Sequence, residues 1–229
     1  MQPYFFPYIG YFQLMNAVDK FVVYDNLQYT KQSWINRNRI LANGKDDYVS
    51  VPLKKGPHYR TIKERFLSDS WPSDRTNVLN KISGNYRRAP YFQDVYPVIE
   101  QCLICEEQNL FDFVLHSLMS VKNFLGIDTP IIISSTIDID HGLKGGQKVL
   151  EICKSLGATT YLNPIGGVEL YDKDQFKKAG IQLDFLRTGN VQYTQFNNEF
   201  VPLLSIIDVM MFNDKEAIGR FLTQEFTIE

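Results

Sequence analysis

The sequence predicts an α/β fold in which a mostly parallel sheet is flanked by helices. Beyond Gly126 the chain alternates an apolar strand, TPIIISS, a helix closed by glycine, GGQKVLEICKSLGA, and a second strand, TTYLNP. A right-handed crossover makes two such strands parallel. Near the start, GYFQLMNAVD has the helical period and precedes the strand-like KFVVYD. Because the pattern in residues 71–126 is mostly helical, we predict a single domain over residues 1–229 with a helical insertion at about 71–126.

The remaining elements follow from the same periodicities. The first half continues with a short element near residues 35–42 and a strand in DDYVSVPLKK. After the loop RRAPYF, the insertion is predicted to hold two paired helices, Pro97 to Glu107 and Leu110 to Phe124. The last third adds a helix-like DKDQFKKA, a third strand in GIQLDFL, and a C-terminal helical pair in SIIDVMMF and KEAIGRFL. Ligands bind such sheets at the carboxyl ends of the strands, so functional residues are expected there.

Composition limits the partners that the chain can have. It has 229 residues, a formal net charge of -2 and 44% hydrophobic residues, which are ordinary values for a globular protein. We expect no duplex nucleic acid partner, because bulk electrostatics do not favour one. We also expect no membrane span and a cytoplasmic location, because no window approaches ~20 apolar residues and no secretion signal is evident. Composition leaves the oligomeric state open.

The opening stretch QPYFFPYIG is apolar but interrupted by two prolines. A stiff turn that ends in glycine at a helix N-terminus is a plausible anion or nucleotide pocket, and its candidate contacts are Gln2, Tyr8, Gly10 and Tyr11. PYIGY occupies the place that the His-x-Gly-His signature has in nucleotidyltransferases, which suggests a distantly related fold. The two tyrosines cannot supply a cationic imidazole, so the chemistry would differ. The alternative is that the aromatic rings simply fill the core.

A second group of polar and aromatic residues follows the first predicted strand. Arginine and lysine can hold a phosphate or carboxylate, amides can bind hydroxyl groups, and aromatic faces can support a sugar or base. The alternative is a solvated basic loop in which the tryptophan is anchored in the core. The members of the group are Asp25, Gln28, Tyr29, Lys31, Trp34, Asn36, Arg37, Asn38 and Arg39.

Four further features of the sequence bear on where a functional site lies. His58 lies on the basic loop KKGPHYR and is a candidate acid or base. The turn Gly166-Gly167 follows a strand and presents backbone amides, as substrate contacts or as a plain turn. No metal site is predicted, because His141 and its neighbouring aspartates lack a further ligand, and three cysteines fit no four-ligand pattern. Asp208, an acid in an apolar helix, is expected to be paired or to cap another group, and an arginine or lysine of the second group is a candidate partner.

An ordered set of motifs resembles the WbqC-like protein family. QPYFFPYIGYFQL, DNLQYTKQSWINRNRI, VPLKK, RRAPYF, SLGATTYLNPIGG and FVPLLSIIDVMMF occur in this order over nearly the whole chain. No single segment is common, and their order makes the resemblance specific. Members occur in bacterial gene clusters for O-antigen and other surface polysaccharides, and a role in transferring glycine or another amino acid to a sugar has been suggested.

The resemblance therefore implies a glycine-type aminoacyl transferase that acts on an amino sugar in surface-polysaccharide biosynthesis. Its substrates would be a sugar nucleotide and an activated amino acid, with the donor and any cofactor unidentified. Lys31, Arg37 and Arg39 would hold phosphate or carboxylate, Asp25 would take the substrate ammonium or a proton, and His58 would be the base. Two alternatives remain: a non-catalytic sugar-nucleotide-binding protein, and a degenerate adenylate-forming or nucleotidyl-transferring enzyme.

Overall fold

A computed structural model of the protein describes residues 1–229, with eight helices and seven strands. The helices are α1 (Ile9–Asn16), α2 (Trp71–Tyr86), α3 (Phe92–Ile104), α4 (Leu110–Phe124), α5 (Gly145–Ser155), α6 (Lys173–Lys178), α7 (Ile206–Phe212) and α8 (Lys215–Gln224). The strands are β1 (Phe21–Val23), β2 (Arg37–Ala42), β3 (Lys45–Ser50), β4 (Ile131–Ile133), β5 (Thr160–Pro164), β6 (Gln182–Thr188) and β7 (Phe226–Ile228). None of the helices combines the length and apolar character needed to cross a membrane.

The strands form three small sheets rather than one. β1 pairs with β4 in parallel, β5 pairs with β6 in parallel, and β7 adds to β6 in antiparallel orientation. β2 and β3 form a separate antiparallel hairpin. The mixed α/β class and the parallel pairing are thus confirmed, whereas the single mostly parallel sheet is not. The predicted βαβ unit is divided, since α5 connects β4 of one sheet to β5 of another. These sheets do not establish a nucleotidyltransferase-like fold.

The middle of the chain is helical, as the periodicity predicts. α3 begins five residues earlier than expected, at Phe92, and carries Pro97 inside the helix. The prediction of a helix start at Pro97 came from the spacing of apolar residues in the sequence. The apolar face of α3 nevertheless continues on both sides of the proline, with Val95 and Ile99 fully buried. Burial therefore decides where this helix begins.

Two hydrophobic cores lie under these elements. The larger contains 41 buried residues from the opening turn, α1 to α4, α7 and α8. The smaller has six, Val149, Cys153, Phe176, Ile181, Leu183 and Phe185, which come from α5, α6, β6 and the turn between the last two. The three cysteines are free, and Cys102 and Cys153 are buried. The β5–β6 region thus has a core of its own.

Asp208 lies inside the larger core, on α7, and is fully buried. Its carboxylate accepts hydrogen bonds from Tyr86 Oη at 2.8 Å, Tyr193 Oη at 2.7 Å and Gln195 Nε2 at 2.6 Å. Asp208 is thus paired, but its partners are neutral side chains, and the candidate arginine or lysine is not among them. Burial raises the pKa of Asp208, although the three donors oppose that rise. Neutral donors can satisfy a buried carboxylate without adding a second buried charge.

Candidate functional site

The opening turn is built into the larger core. Phe5 and Phe6 are each 1% exposed, and Phe6 adopts a left-handed backbone with φ 41°. Asn38 Nδ2 donates to the carbonyl oxygens of Phe5 and Phe6 at 2.9 Å, and Ser205 Oγ donates to that of Phe6 at 2.7 Å. These bonds hold a conformation that is costly for a phenylalanine. The buried phenyl rings are core, and only the partly exposed Tyr4 and Tyr8 present phenol groups near the surface.

The start of α1 requires Gly10. A Cβ added at Gly10 would lie 2.4 Å from Thr188 Oγ1 on β6, so glycine allows α1 to approach that strand. Tyr11 is buried, and its hydroxyl donates to the carbonyl oxygen of Gln2 at 3.0 Å. Tyr8 precedes the helix without capping it. Packing thus accounts for Gly10 and Tyr11.

The second group lies mostly on the β2–β3 hairpin and the loop before it. Trp34 stacks on Tyr48 with ring centroids 6.3 Å apart, and the Arg37 guanidinium lies 4.8 Å from the Tyr48 centroid. Arg39 forms an ion pair with Asp46 at 3.1 Å. The Tyr29 hydroxyl donates to Asn36 Oδ1, and Asn36 Nδ2 donates to the carbonyl oxygen of Val51, the residue after β3. These side chains therefore bond to other residues of the hairpin and its adjoining loops. None of these hydrogen bonds, ion pairs or ring contacts joins the hairpin to Gly166 or Gly167.

The loop residues expected to do chemistry are exposed. Lys31 and His58 both face solvent. Gln28 Nε2 donates to the His58 carbonyl oxygen at 3.0 Å, and Gln28 forms an isolated antiparallel bridge with Thr61. The segment that follows β1 is therefore held beside the KKGPHYR loop. This pairing leads back to Asp25, whose carbonyl oxygen accepts from Lys63 N at 3.0 Å.

Asp25 marks the carboxyl ends of the parallel strands β1 and β4. Its side chain is fully buried. Oδ1 accepts from Ser134 Oγ and Ser135 N, each at 3.0 Å, while Oδ2 accepts from Ser135 Oγ and pairs with Lys63 Nζ at 3.2 Å. Burial opposes ionisation, but the two serines and Lys63 outweigh it and lower the pKa of Asp25. The carboxylate is ionised, fully bonded and closed to a substrate.

The next residue, Asn26, links this carboxylate to a buried lysine. Asn26 Oδ1 lies 2.9 Å from Ser134 Oγ and 3.3 Å from Lys148 Nζ on α5. The single Ser134 hydroxyl proton is shared between Asn26 Oδ1 and Asp25 Oδ1. Since the Lys148 ammonium can only donate, Asn26 Oδ1 is the atom that faces it, and the amide nitrogen of Asn26 faces His141 Nδ1, at 3.1 Å. Nδ1 of His141 therefore accepts, and its Nε2 donates to the Ile137 carbonyl oxygen at 3.0 Å. The arrangement selects one neutral tautomer of His141.

Lys148 is the unusual member of this site. It is 6% exposed, and no carboxylate lies within ion-pair distance of its ammonium group. Burial lowers the pKa of Lys148, which the charge of Asp25 partly offsets. Its Nζ lies 5.8 Å from the ring centroid of Tyr24. A buried cation with one neutral amide partner is poorly compensated, which suits a site that receives an anion.

Tyrosines and glycines complete the site at the end of β5. Tyr161 Oη lies 3.1 Å from Asn163 Oδ1 and 3.4 Å from Tyr171 Oη. A Cβ at Gly167 would lie 2.0 Å from Asn163 Nδ2, whereas one at Gly166 would meet nothing within 4 Å. The packing of Asn163 therefore requires Gly167, whereas no neighbouring atom requires glycine at position 166.

The beginning of α5 adds backbone donors to the same region. A Cβ added at Gly146 would lie 3.7 Å from a ring carbon of Tyr171, so the start of α5 lies beside that ring. No side chain caps this helix at Lys144. The first N–H groups of a helix attract anions when no cap occupies them. We use the name strand-end site for the residues around these strand ends and this helix start: Asp25, Asn26, Ser134, Ser135, His141, Lys148, Tyr161, Asn163, Gly166, Gly167 and Tyr171. It contains no group of three or more metal-ligating side chains.

Sequence reasoning found only part of this site. Asp25, Gly166 and Gly167 were expected there, whereas Lys148, Asn26 and the two serines were not. A signal was available, since ISS ends a buried strand and KGGQK begins a helix after the next loop. Glycines at a helix start can bring backbone N–H groups close to an anion, but many helix starts share this pattern, and it does not single out Lys148.

Comparison with known proteins agrees with the motif order. The sequence matches the WbqC-like protein family over residues 2–220, and the chain belongs to that family. It is 27% identical over 221 residues to the uncharacterized protein Rv1507c of Mycobacterium tuberculosis (strain ATCC 25618 / H37Rv), covering 95% of this chain and 94% of the relative. No solved structure matches the chain.

Proposed function

We propose that this WbqC-like protein is a transferase that passes an aminoacyl group, of glycine type, to a phosphate-linked amino sugar in bacterial surface-polysaccharide biosynthesis. The observation that carries the proposal is Lys148, a cation 6% exposed with only a neutral amide as partner. The phosphate of a sugar nucleotide would supply the missing anion. The aminoacyl part rests on the family resemblance, and the phosphate part on the strand-end site.

The strand-end site assigns different tasks to its two charged residues. Asp25 has donors on both oxygens and a lowered pKa, so it would position Ser134 and Ser135 rather than take a proton. Lys148 and the first N–H groups of α5 would bind the phosphate. Gly166 and the Tyr161 and Tyr171 hydroxyls would lie against the sugar, since hydroxyls can both donate and accept.

The reaction would be an acyl transfer. The sugar amine attacks the acyl carbonyl carbon, a C–N bond forms, and the bond from that carbon to the donor's oxygen breaks. The proton lost by the amine passes to a base, and the leaving oxygen keeps the electron pair. His58 remains the proposed base, because both ring nitrogens of His141 are already hydrogen-bonded.

A transfer assay tests this function. The purified protein would be incubated with a uridine-diphosphate amino sugar and radiolabelled glycine, supplied either as glycyl-tRNA or as glycine with ATP. We expect label on the sugar with one donor, a loss of at least ~10-fold in Lys148→Met, and no loss in Lys154→Met. Lys154 is the matched control, because it lies on the same helix but is exposed and paired with Glu151 at 2.7 Å. No label with either donor would contradict the transferase.

One observation favours the non-catalytic alternative. Every polar atom of Asp25 and both ring nitrogens of His141 are engaged within the protein. A site of this kind can bind a sugar nucleotide without supplying a base. Calorimetry separates the two functions, since binding of the uridine-diphosphate amino sugar without transfer of label would identify a binding protein.

A further inference from the structure

Positive charge is concentrated on one surface of the molecule. The segments 26–37 and 51–60 contain no aspartate or glutamate, although the chain as a whole has a formal net charge of -2. The structure holds the two segments side by side, since the Tyr29 amide donates to the Arg60 carbonyl oxygen at 3.0 Å. We call these segments, with the adjoining Tyr48 and Arg65, the basic strip. Its cationic side chains are Lys31, Arg37, Lys54, Lys55, Arg60 and Arg65.

Two arginines of the basic strip converge on one point. A Cβ added at Gly56 would lie 3.1 Å from Arg65 Nη1 and 3.6 Å from Arg60 Nη1. Arg65 is 7% exposed, donates to the carbonyl oxygens of Lys54 and Pro57 at 3.3 and 3.5 Å, and has a buried Nε without a partner. Neither arginine has a carboxylate within ion-pair distance. Two adjacent guanidinium groups without a carboxylate favour a phosphate as their ligand.

Aromatic rings continue the basic strip toward the β2–β3 hairpin. The Arg65 guanidinium carbon lies 4.8 Å from the ring centroid of Tyr29, and that of Arg37 lies 4.8 Å from the centroid of Tyr48. Burial raises the pKa of Tyr29, and the charges of Arg65 and Arg37 oppose that rise, so both cations lie near its hydroxyl. Trp34 stacks on Tyr48 beside Arg37. Rings and guanidinium groups therefore alternate along the strip.

Three of these rings are open to solvent. Tyr59 is 78% exposed, Tyr48 43% and Trp34 36%. Exposed rings between cations are typical of surfaces that bind single-stranded nucleic acid, because bases stack on the rings while the cations hold the phosphates. A duplex keeps its bases stacked on one another, so this surface offers it no such contact. The basic strip thus favours an unpaired strand.

Given the proposed transferase function, on which this step rests, we propose that the basic strip binds the unpaired 3′ end of an aminoacyl-tRNA, the donor of the aminoacyl group. Lys63, which lies between Arg60 and Arg65 along the chain, pairs with Asp25 Oδ2 at 3.2 Å, so the strip borders the strand-end site. His58, the proposed base, lies within the strip. An acyl group at the RNA end would therefore lie between the base and the sugar.

The transfer balances with this donor. The sugar amine attacks the ester carbonyl carbon, a C–N bond forms, and the ester C–O bond to the terminal ribose breaks. The ribose oxygen keeps the electron pair and takes the proton that His58 removes from the amine. The products are the aminoacylated sugar and the free tRNA.

Binding of a short RNA tests the basic strip without any transfer. The probe is a labelled RNA stem with an unpaired ACCA 3′ end, compared with the same stem with a blunt end, with ATP and with polyglutamate. Arg60→Gln removes a cation, and Arg220→Gln is its matched control, because Arg220 is exposed and pairs with Glu216 at 2.7 Å. Tyr59→Leu removes an exposed ring, whereas Tyr59→Phe keeps it. Since all these side chains are exposed, Tm should not change, and a change in affinity reports contact with the RNA.

We expect the stem with the unpaired end to bind at least ~10-fold more tightly than the blunt stem. Arg60→Gln should weaken this binding at least ~5-fold and make the slope of log affinity against log salt shallower by about 0.7, the value for one phosphate contact to a single strand. Tyr59→Leu should also weaken binding at least ~5-fold, whereas Tyr59→Phe and Arg220→Gln should bind as wild type does.

Equal affinity for the two stems, or unchanged affinity in both Arg60→Gln and Tyr59→Leu, would overturn the proposal. Tighter binding of ATP or of polyglutamate than of the RNA would also overturn it, in favour of a free nucleotide or an acidic protein. RNA binding without transfer of label from either glycine donor would contradict the transferase and leave the strip as an RNA site. Transfer of label from glycine with ATP, without RNA binding, would contradict the basic strip and leave the transferase.

Discussion

Two regions of the molecule bury a carboxylate, and they do so in opposite ways. Asp208 lies inside an apolar helix and accepts from two tyrosines and a glutamine, all neutral. Asp25 lies where two parallel strands end and accepts from two serines and Lys63. Burial raises the pKa of Asp208, whereas the serines and Lys63 lower that of Asp25 against the effect of burial. The first region is a cross-link of neutral partners inside the core, and the second also holds a poorly compensated cation, Lys148.

The largest effect on the free energy of unfolding is expected for substitution of Asp208. Asp208→Ala leaves the hydroxyls of Tyr86 and Tyr193 and the amide of Gln195 without their partner. Each buried donor that loses its partner costs about 1–3 kcal/mol, so urea unfolding should show a loss of about 3–5 kcal/mol. A loss below about 1 kcal/mol would mean that these donors find other partners.

Substitution of Asp25 should lower the free energy of unfolding less than substitution of Asp208, and the loss should depend on pH with a defined sign. Asp25→Asn replaces a charged acceptor of four donors by an amide, and we expect a loss of about 2–4 kcal/mol at pH 7. A carboxyl group with a lowered folded pKa stabilises above its unfolded pKa, and that contribution disappears as pH falls through the folded pKa. The difference between wild type and Asp25→Asn should therefore shrink below pH 3.8, the ordinary value for aspartate. A difference that grows on acidification would contradict the lowered pKa.

The same pH series distinguishes the two carboxylates. A carboxyl group with a raised folded pKa binds its proton more tightly in the folded state, so its contribution to stability increases as pH falls. The advantage of wild type over Asp208→Asn should thus increase between pH 7 and 4, opposite to the trend for Asp25. Urea midpoints measured on both variants at each pH give the two slopes. Parallel slopes would show that the environments do not differ as described.

A pair of glycine substitutions tests the packing at the end of β5. In Gly167→Ala the new methyl group must displace Asn163, from which it would lie 2.0 Å, and we expect a loss of about 1–3 kcal/mol. Gly166→Ala meets no atom within 4 Å, so its stability should stay within about 0.5 kcal/mol of wild type. The effects on binding of a sugar ligand should have the opposite order. Gly166→Ala should weaken binding more, because its methyl group would project toward the bound sugar. Equal stability of both variants would contradict the packing of Asn163.

The sequence predicts much of the fold because most elements show a clear period. α1, α4, α5, β5 and β6 were each expected within a few residues. The failure concerns how the strands pair: β4 joins β1, which is distant along the chain, and does not join β5, although α5 connects β4 to β5. The parallel pairing of β5 with β6, by contrast, joins consecutive strands that have a helix between them. β7 was not expected, because FTI is too short to show an alternation.

The site was harder to predict for a related reason. Asp25 could be identified because it ends a strand, but its serine partners are 109 and 110 residues away along the chain. Lys148 is inconspicuous in the sequence, since KGGQK resembles many helix starts. Its burial and its lack of a carboxylate partner are properties of the folded chain alone. Conversely, Arg37, Asn38 and Arg39 have the composition of a binding site, yet their side chains bind the hairpin and the opening turn.

Only a small effect on stability is expected for Lys148, where the effect on binding should be greatest. Lys148→Met removes a buried charge that has one neutral partner, and we expect a change within about 1 kcal/mol. Thermal unfolding compared with Lys154→Met measures it. A loss of several kcal/mol would mean that Lys148 is a structural residue and not a ligand contact.

Calorimetric binding of a uridine-diphosphate amino sugar, compared with the free amino sugar, tests the central claim most directly. We predict that the phosphate-bearing ligand binds at least ~10-fold more tightly to wild type and to Lys154→Met, since a charged hydrogen bond contributes about 1.5–3 kcal/mol. In Lys148→Met the advantage of the phosphate should disappear. Equal affinities of the two ligands for wild type, or an undiminished phosphate preference in Lys148→Met, would contradict the assignment of the strand-end site.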